Sequence, residues 1–149
     1  MNLKRLSKQF YTTDQLQPGD ISALAECGIR SVINNRPDGE ADDQPMGSAI
    51  EYAVKRRGLE YIAVPIKSKI ATPEELRAFK CAVSALPKPI CGFCRTGTRA
   101  MVCWALSEVG ERSTDSILES VVEAGFPSDD VELQIVSTTT QSKELNNVS

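Results

Sequence analysis

The sequence predicts an α/β domain: a central, mostly parallel sheet of about four to five strands with helices on both faces. Three observations predict it. Short apolar or β-branched runs alternate with segments of helical period. Turn and cap residues, among them Gly28, Gly58, Pro87 and Pro89, fall between them. The run Pro89-Ile90-Cys91-Gly92-Phe93 leads through Cys94-Arg95-Thr96-Gly97-Thr98-Arg99 into Ala100-Met101-Val102-Cys103-Trp104-Ala105-Leu106, which reads as strand, tight loop and helix.

The elements follow in order. Phe10-Tyr11-Thr12-Thr13 reads as a short strand at a sheet edge. Pro18 and Gly19-Asp20 open a helix with Ile21, Leu24 and Ala25 on one face, and Gly28 ends it. Ile29 to Asn35 is a strand, with β-branched Val32 and Ile33. Arg36 to Gln44 is a polar loop. A helix over about Pro45 to Arg57 turns Ile50, Ala53 and Val54 inward, and Gly58 stops it. Leu59 to Ile66 is the next strand.

Thr72-Pro73-Glu74-Glu75 marks a helix start, with Thr72 as cap, Pro73 in the first helical position and Glu75 closing a capping box. That helix runs to about Leu86, with Leu76, Phe79 and Val83 facing the core. The helix after the Cys94 loop ends at Gly110, and two more follow, over about Thr114 to Ala124 and Ser128 to Val136. The polar tail from Ser137 is expected to be disordered, which divides the chain into a catalytic domain, 1–136, and a tail, 137–149.

A chain of 149 residues fits one domain, and 41% apolar and 25% charged residues are ordinary globular usage. A net charge of −3 gives no electrostatic reason to expect nucleic acid. The basic run Lys55-Arg56-Arg57 suits a helix end. No apolar run reaches the length of a membrane span. Met1 to Phe10 carries charges without an apolar centre, so no secretory signal is read and cytoplasmic residence is expected.

Histidine is absent, which removes Ser–His–Asp catalysis, Cys–His dyads and histidine-based metal sites. Five scattered cysteines, Cys27, Cys81, Cys91, Cys94 and Cys103, argue against a disulfide framework. They are also too few in any one place for zinc, so no metal or cofactor is expected. Cys91 and Cys94 have redox C-x-x-C spacing, but core packing is the simpler reading of Cys91, as it is of Cys103.

The chemistry is expected at Cys94. A tight loop entering a helix aims successive backbone N–H groups at one point, and the helix N-terminus adds partial positive charge there. Both effects favour a thiolate, which makes Cys94 a candidate nucleophile. The amides of Arg95, Thr96, Gly97, Thr98 and Arg99 would form an anion cradle, with Arg99 as a planar clamp. Ligands of parallel sheets bind beyond the carboxyl ends of the strands, so the Cys94, Arg36–Glu40 and Lys67–Ala71 loops should converge on one rim.

The loop resembles two known active-site loops. Tyrosine and dual-specificity phosphatases place five residues between Cys and Arg, whereas four lie between Cys94 and Arg99 here. Rhodanese sulfurtransferases use C-R-x-G-x-R, which the loop matches at every fixed position. From about residue 3 to 136 the chain resembles the bacterial phosphatase-like domain found alone or beside a metallo-β-lactamase-like hydrolase. That likeness rests on Asn34-Asn35-Arg36-Pro37-Asp38-Gly39-Glu40, on Tyr61-Ile62-Ala63-Val64-Pro65-Ile66 and on the Cys94 loop. It implies a cysteine-phosphatase-like three-layer fold. It also places Arg36 beside the loop as a second anion contact, with Asp38 orienting Arg36 or Arg99; a turn built from the same residues is the other reading.

A phosphatase of this fold needs a general acid, usually an aspartate after the strand matching Tyr61–Ile66. Lys67-Ser68-Lys69-Ile70-Ala71 offers no carboxylate there; Asp38, Glu40, Asp42 and Asp43 lie on another loop. Acid catalysis is worth ~10²–10⁴-fold, so its loss would slow hydrolysis of poor leaving groups. Sulfur transfer needs no such acid. The expected activity is therefore a rhodanese-type sulfurtransferase that carries sulfane sulfur as a Cys94 persulfide. Its substrates would be a small anionic sulfur donor and a thiol or cyanide-like acceptor, and its partner a metallo-β-lactamase-like sulfur dioxygenase. The alternatives are a cysteine phosphatase acting on a phosphorylated substrate and a non-catalytic anion-binding or redox-sensing module.

Overall fold

Helical crossovers between successive strands leave those strands parallel. The computed structural model describes residues 1–129 and 131–138. Its strands are β1 (Lys4–Arg5), β2 (Phe10–Thr13), β3 (Ser31–Asn34), β4 (Glu60–Ala63) and β5 (Ile90–Phe93), in the sheet order β1-β2-β5-β3-β4. β2, β5, β3 and β4 are parallel, and β1 is antiparallel to β2. The helices are α1 (Ile21–Glu26, led in by a 3₁₀ turn at Pro18–Asp20), α2 (Gly47–Arg56), α3 (Pro73–Ala85), α4 (Thr98–Ser107) and α5 (Thr114–Glu123). This is the α/β, cysteine-phosphatase-like architecture that the sequence predicts.

Three details differ from expectation. Phe10–Thr13 is not an edge strand, because Lys4–Arg5 pairs outside it; a two-residue strand leaves no periodic signal. α4 ends at Ser107, three residues before Gly110. Helix continues over residues 131–138, so Ser137 and Thr138 are ordered into it, and the rest of the expected disordered tail lies outside the described residues.

The sheet has a core on each face, which sorts successive strand residues to opposite sides. Ile21 and Leu24 of α1 and Ile50 and Val54 of α2 pack on Val32, Cys91 and Phe93. Phe79 of α3, Ile117 and Val121 of α5 and the whole of α4 from Met101 to Leu106 pack on Phe10, Ile33 and Ile90. Each such buried side chain contributes about 1.5–3 kcal/mol of transfer free energy. α4 is apolar all round because it lies between the sheet, α3 and α5. Its approach to β5 requires Gly92, where a Cβ would sit 2.9 Å from Phe10 Cζ and 3.2 Å from Ala100 Cβ.

The helix caps are those the sequence signals. Thr72 accepts from the Glu75 amide at 3.1 Å while Glu75 Oε1 accepts from the Thr72 amide at 2.9 Å. Gly28 and Gly58 follow α1 and α2 with φ of 90° and 87°.

The register positions the site. Thr13, Phe93, Asn34 and Ala63, the last residues of the four parallel strands, are cross-strand partners in one row. The loops that follow therefore leave the sheet at one level.

Candidate active site

Cys94 is the first residue beyond β5, so it stands at this common edge. Asn35 fastens the edge: its amide donates to Phe93 O at 2.8 Å and its side chain to Val64 O at 2.9 Å. Gly97 then turns the chain into α4 at φ +90°, and its amide donates to Cys94 Sγ at 3.1 Å. The Thr12 hydroxyl donates to Gly97 O at 3.0 Å, tying the turn to β2. The Gln15 amide donates to Arg95 O at 3.2 Å and holds the loop's other limb. α4 begins at Thr98, so the amides of Thr98, Arg99 and Ala100 fall in its first turn, where no helical carbonyl lies behind them.

An alanine at position 97 would have to adopt a left-handed backbone with its Cβ 3.3 Å from both Thr12 Oγ1 and Thr13 O. Gly97→Ala is expected to cost about 1–2 kcal/mol in urea unfolding from the backbone alone. It should lower turnover further, because the amide on the Cys94 sulfur moves with the turn. A variant as stable and active as the parent would remove Gly97 from the machinery.

Arg99 returns from the first turn of α4 and is pinned by its outer edge. Nη1 donates to Glu40 Oε2 at 2.8 Å and to Ile66 O at 2.8 Å, and Nη2 donates to Glu40 Oε1 at 2.9 Å. A guanidinium has five N–H donors, so these bonds leave the Nε–H and the second Nη2–H, a side-on fork that matches two phosphoryl oxygens. The Glu40 hydrogen bonds raise the Arg99 pKa against the opposing effect of burial, and the nearby Cys94 sulfur adds to the rise.

Glu40 also accepts from Arg36 Nε at 3.0 Å, and Arg36 Nη1 donates to Gln15 Oε1 at 2.9 Å. Hydrogen bonding to Arg99 first, opposed by burial and reinforced by Arg36, lowers the Glu40 carboxyl to about 2. One carboxylate thus fixes two arginines.

Of the residues singled out in the sequence, Cys94, the loop from Arg95 to Arg99, and Arg36 come together. Asp38 does not orient either arginine. Its Oδ1 accepts from the Gly47 amide at 2.7 Å, at the start of α2, and Glu40 takes the orienting position instead. Thr12, Gln15, Asn35 and the Ile66 carbonyl escape sequence reasoning. Glu40 alone had a signal, one helical-turn spacing from Arg36 inside the N-R-P-D-G-E run.

All five cysteines are free. Cys91 and Cys103 are buried, and burial pushes both thiols up, Cys103 to about 12. Neither is poised to react.

Beyond the strand ends lies a cleft of about 820 Å³. Gln15 and Gln17 line it from the β2 loop, Arg36, Glu40 and Asp43 from the β3 loop, Lys67 and Lys69 from the β4 loop, and Arg95 and Arg99 from the Cys94 loop. The three loops expected to converge do so. Cys94 is 1% exposed.

A family model for the beta-lactamase hydrolase-like protein, phosphatase-like domain, matches residues 2–111. The chain belongs to this family. A beta-lactamase hydrolase-like protein of Xylella fastidiosa is 34% identical over 109 residues, 73% of this chain and 25% of the relative. The chain thus spans about a quarter of the curated relatives it matches. A candidate phosphatase from Neisseria meningitidis has the same fold, with a TM-score of 0.82, 24% identity, and coverage of 93% of this chain and 99% of that one. So does P. aeruginosa TpbA, solved in complex with phosphotyrosine, with a TM-score of 0.60, 13% identity, and coverage of 91% and 90%.

These findings correct the expected activity. The matching family is phosphatase-like, and the fold is shared with candidate phosphatases, so the rhodanese-type sulfurtransferase reading is set aside. The small sulfur donor, the persulfide and the sulfur dioxygenase partner go with it. That reading rests on the missing carboxylate after β4 and on a loop one residue shorter than a phosphatase's, and the family match shows that neither excludes a phosphatase-like domain. The phosphatase-like family remains, and an enzyme with a cysteine nucleophile fits it. Among the described residues no helix is long and apolar enough to cross a membrane.

Proposed function

We propose that this domain is a cysteine-dependent phosphatase working through a phosphocysteine intermediate. The observation that carries the reading is the Glu40 bridge, which sets Arg99 and Arg36 together beside the loop that holds the Cys94 sulfur. Two fixed cations and a set of helix amides suit a tetrahedral dianion and the charge that develops on it.

The Cys94 sulfur attacks phosphorus, an S–P bond forms, and the ester O–P bond breaks. The Arg99 side-on fork and the first-turn amides of Thr98 and Arg99 hold the equatorial oxygens, while the Gly97 amide stays on the sulfur. Water then cleaves the S–P bond, releasing phosphate and restoring the sulfur anion. The sulfur is covered in this conformation, so admitting a phosphoryl group requires the groups around it to move.

The leaving oxygen needs a proton. Glu40 is ionised and bonded to both arginines, and Asp38 is bonded to α2, whereas Asp43 lines the cleft. Asp43 is assigned this role. Asp43→Asn should lower kcat on alkyl phosphates by roughly 10²-fold while sparing aryl phosphates with good leaving groups. An equal loss on both would remove Asp43 as the acid.

The reading itself is tested by phosphate release from an aryl phosphate, with acid-quench mass spectrometry to find a phosphoryl group on Cys94. Phosphate release that persists without Cys94, or none under any condition, overturns it.

A further inference from the structure

We infer that the cleft is built for a small, non-aromatic phosphate ester, a phosphorylated sugar carrying a second anionic group; this rests on the phosphatase reading and goes further by naming the substrate class. Three features of the cleft lead there.

The first is size. One phosphoryl group fills only the part against Arg99, whereas about 820 Å³ is the volume of a pocket for a whole small molecule. The second is charge. Five cationic side chains line the cleft against two carboxylates, on a chain whose net charge is −3. Glu40 already serves Arg36 and Arg99. Lys67 on the β4 loop and Arg95, on the loop that leads to Arg99, are exposed at the rim, so positive charge extends beyond the two fixed guanidinium groups. A flexible ammonium suits a second anion whose position varies between substrates, as a fixed guanidinium fork suits the reacting one.

The third is what the walls lack. Among the described residues no aromatic side chain lines the cleft, and Ala41 and Pro45 are the apolar residues in its lining. An aryl ring would find no stacking partner, and an acyl chain no seat. Gln15, Gln17, Gln44 and Ser68 supply amide and hydroxyl groups, which match the hydroxyls of a sugar.

The test uses the intact chain. Steady-state kinetics would compare fructose 1,6-bisphosphate, glucose 6-phosphate, phosphotyrosine and an acidic phosphopeptide. Calorimetry on Cys94→Ser would measure the same four without turnover. The bisphosphate should be preferred in kcat/KM and bind more tightly than either single phosphate by about tenfold, with the preference shrinking as salt is raised. Lys67→Ala and Lys67→Gln should each reduce that ratio about threefold. Equal or better use of phosphotyrosine or the phosphopeptide overturns the substrate class and leaves the phosphatase reading standing. A preference unmoved by the lysine changes does the same. Tight bisphosphate binding without Cys94-dependent hydrolysis of any of the four retains the class of ligand and overturns the phosphatase reading. Neither binding nor hydrolysis overturns both.

Discussion

Replacing Cys94 with serine is expected to reduce phosphate release by roughly 10³-fold or more, on every substrate alike. A serine hydroxyl keeps its proton at neutral pH, and this chain has no histidine to remove it. The surroundings of position 94 are made for an anion. The Gly97 amide is aimed at Sγ at 3.1 Å, α4 presents its first turn, and Arg99 is held beside it. Serine leaves these donors facing a neutral hydroxyl. Binding should survive, because the cradle and both arginines remain; the variant is therefore the form in which to measure affinity without turnover. Initial rates with phosphotyrosine and a sugar bisphosphate, together with the urea midpoint, check this. A variant within tenfold of the parent, at unchanged stability, would mean that the nucleophile lies elsewhere.

Local features of this fold were legible in the sequence, and contacts between distant segments were not. The Thr72–Glu75 capping box is written within four residues and forms as read. The apolar period of α3 and the run from Ala100 to Leu106 report burial directly, since a helix without a polar face has nowhere to lie but inside. The convergence of loops also follows from strand and helix order, because parallel strands send their carboxyl ends one way. The site's fastening did not follow. Thr12 reaches Gly97 across 85 residues, and Glu40 reaches Arg99 across 59. No periodicity encodes such pairs. Within Asp38-Gly39-Glu40 either acid had the charge to orient an arginine, and the choice depends on where the loop turns. It turns so that Asp38 meets the start of α2 and Glu40 meets both guanidinium groups. The sulfurtransferase expectation is overturned by the family match rather than by geometry: a missing carboxylate in residues 67–71 and a loop one residue short of a phosphatase's do not exclude a phosphatase-like family.

Glu40→Gln should therefore be nearly as damaging as a change at the arginine it holds, with kcat down by roughly 10²-fold. A glutamine offers one acceptor oxygen where the carboxylate offers two, and no charge. Its one oxygen can keep Arg99 Nη2 and Arg36 Nε, which share Oε1 in the parent, but the amide NH₂ that replaces Oε2 faces the Nη1 donor and breaks the end-on pair. The guanidinium of Arg99 would keep Ile66 O at 2.8 Å as its anchor and lose the bidentate one. Glu40 acts through the arginines, so its loss should fall on kcat more than on KM, and Glu40→Asp, one methylene shorter, should recover only part of it. The pH dependence separates positioning from mere support. The folded carboxyl lies at about 2 against an ordinary 4.5, so the unfolded chain binds more protons between those values and the clamp stabilises the fold more as pH rises. The stability difference between parent and Glu40→Gln should be full and constant above about 4.5, shrink as pH falls, and be lost through about 2. Urea unfolding of both proteins from neutral pH to pH 2 measures it. A difference that does not change over that range would show that the carboxylate's charge contributes nothing. A Glu40→Gln enzyme with unchanged kcat would show that Arg99 finds its position without the bridge.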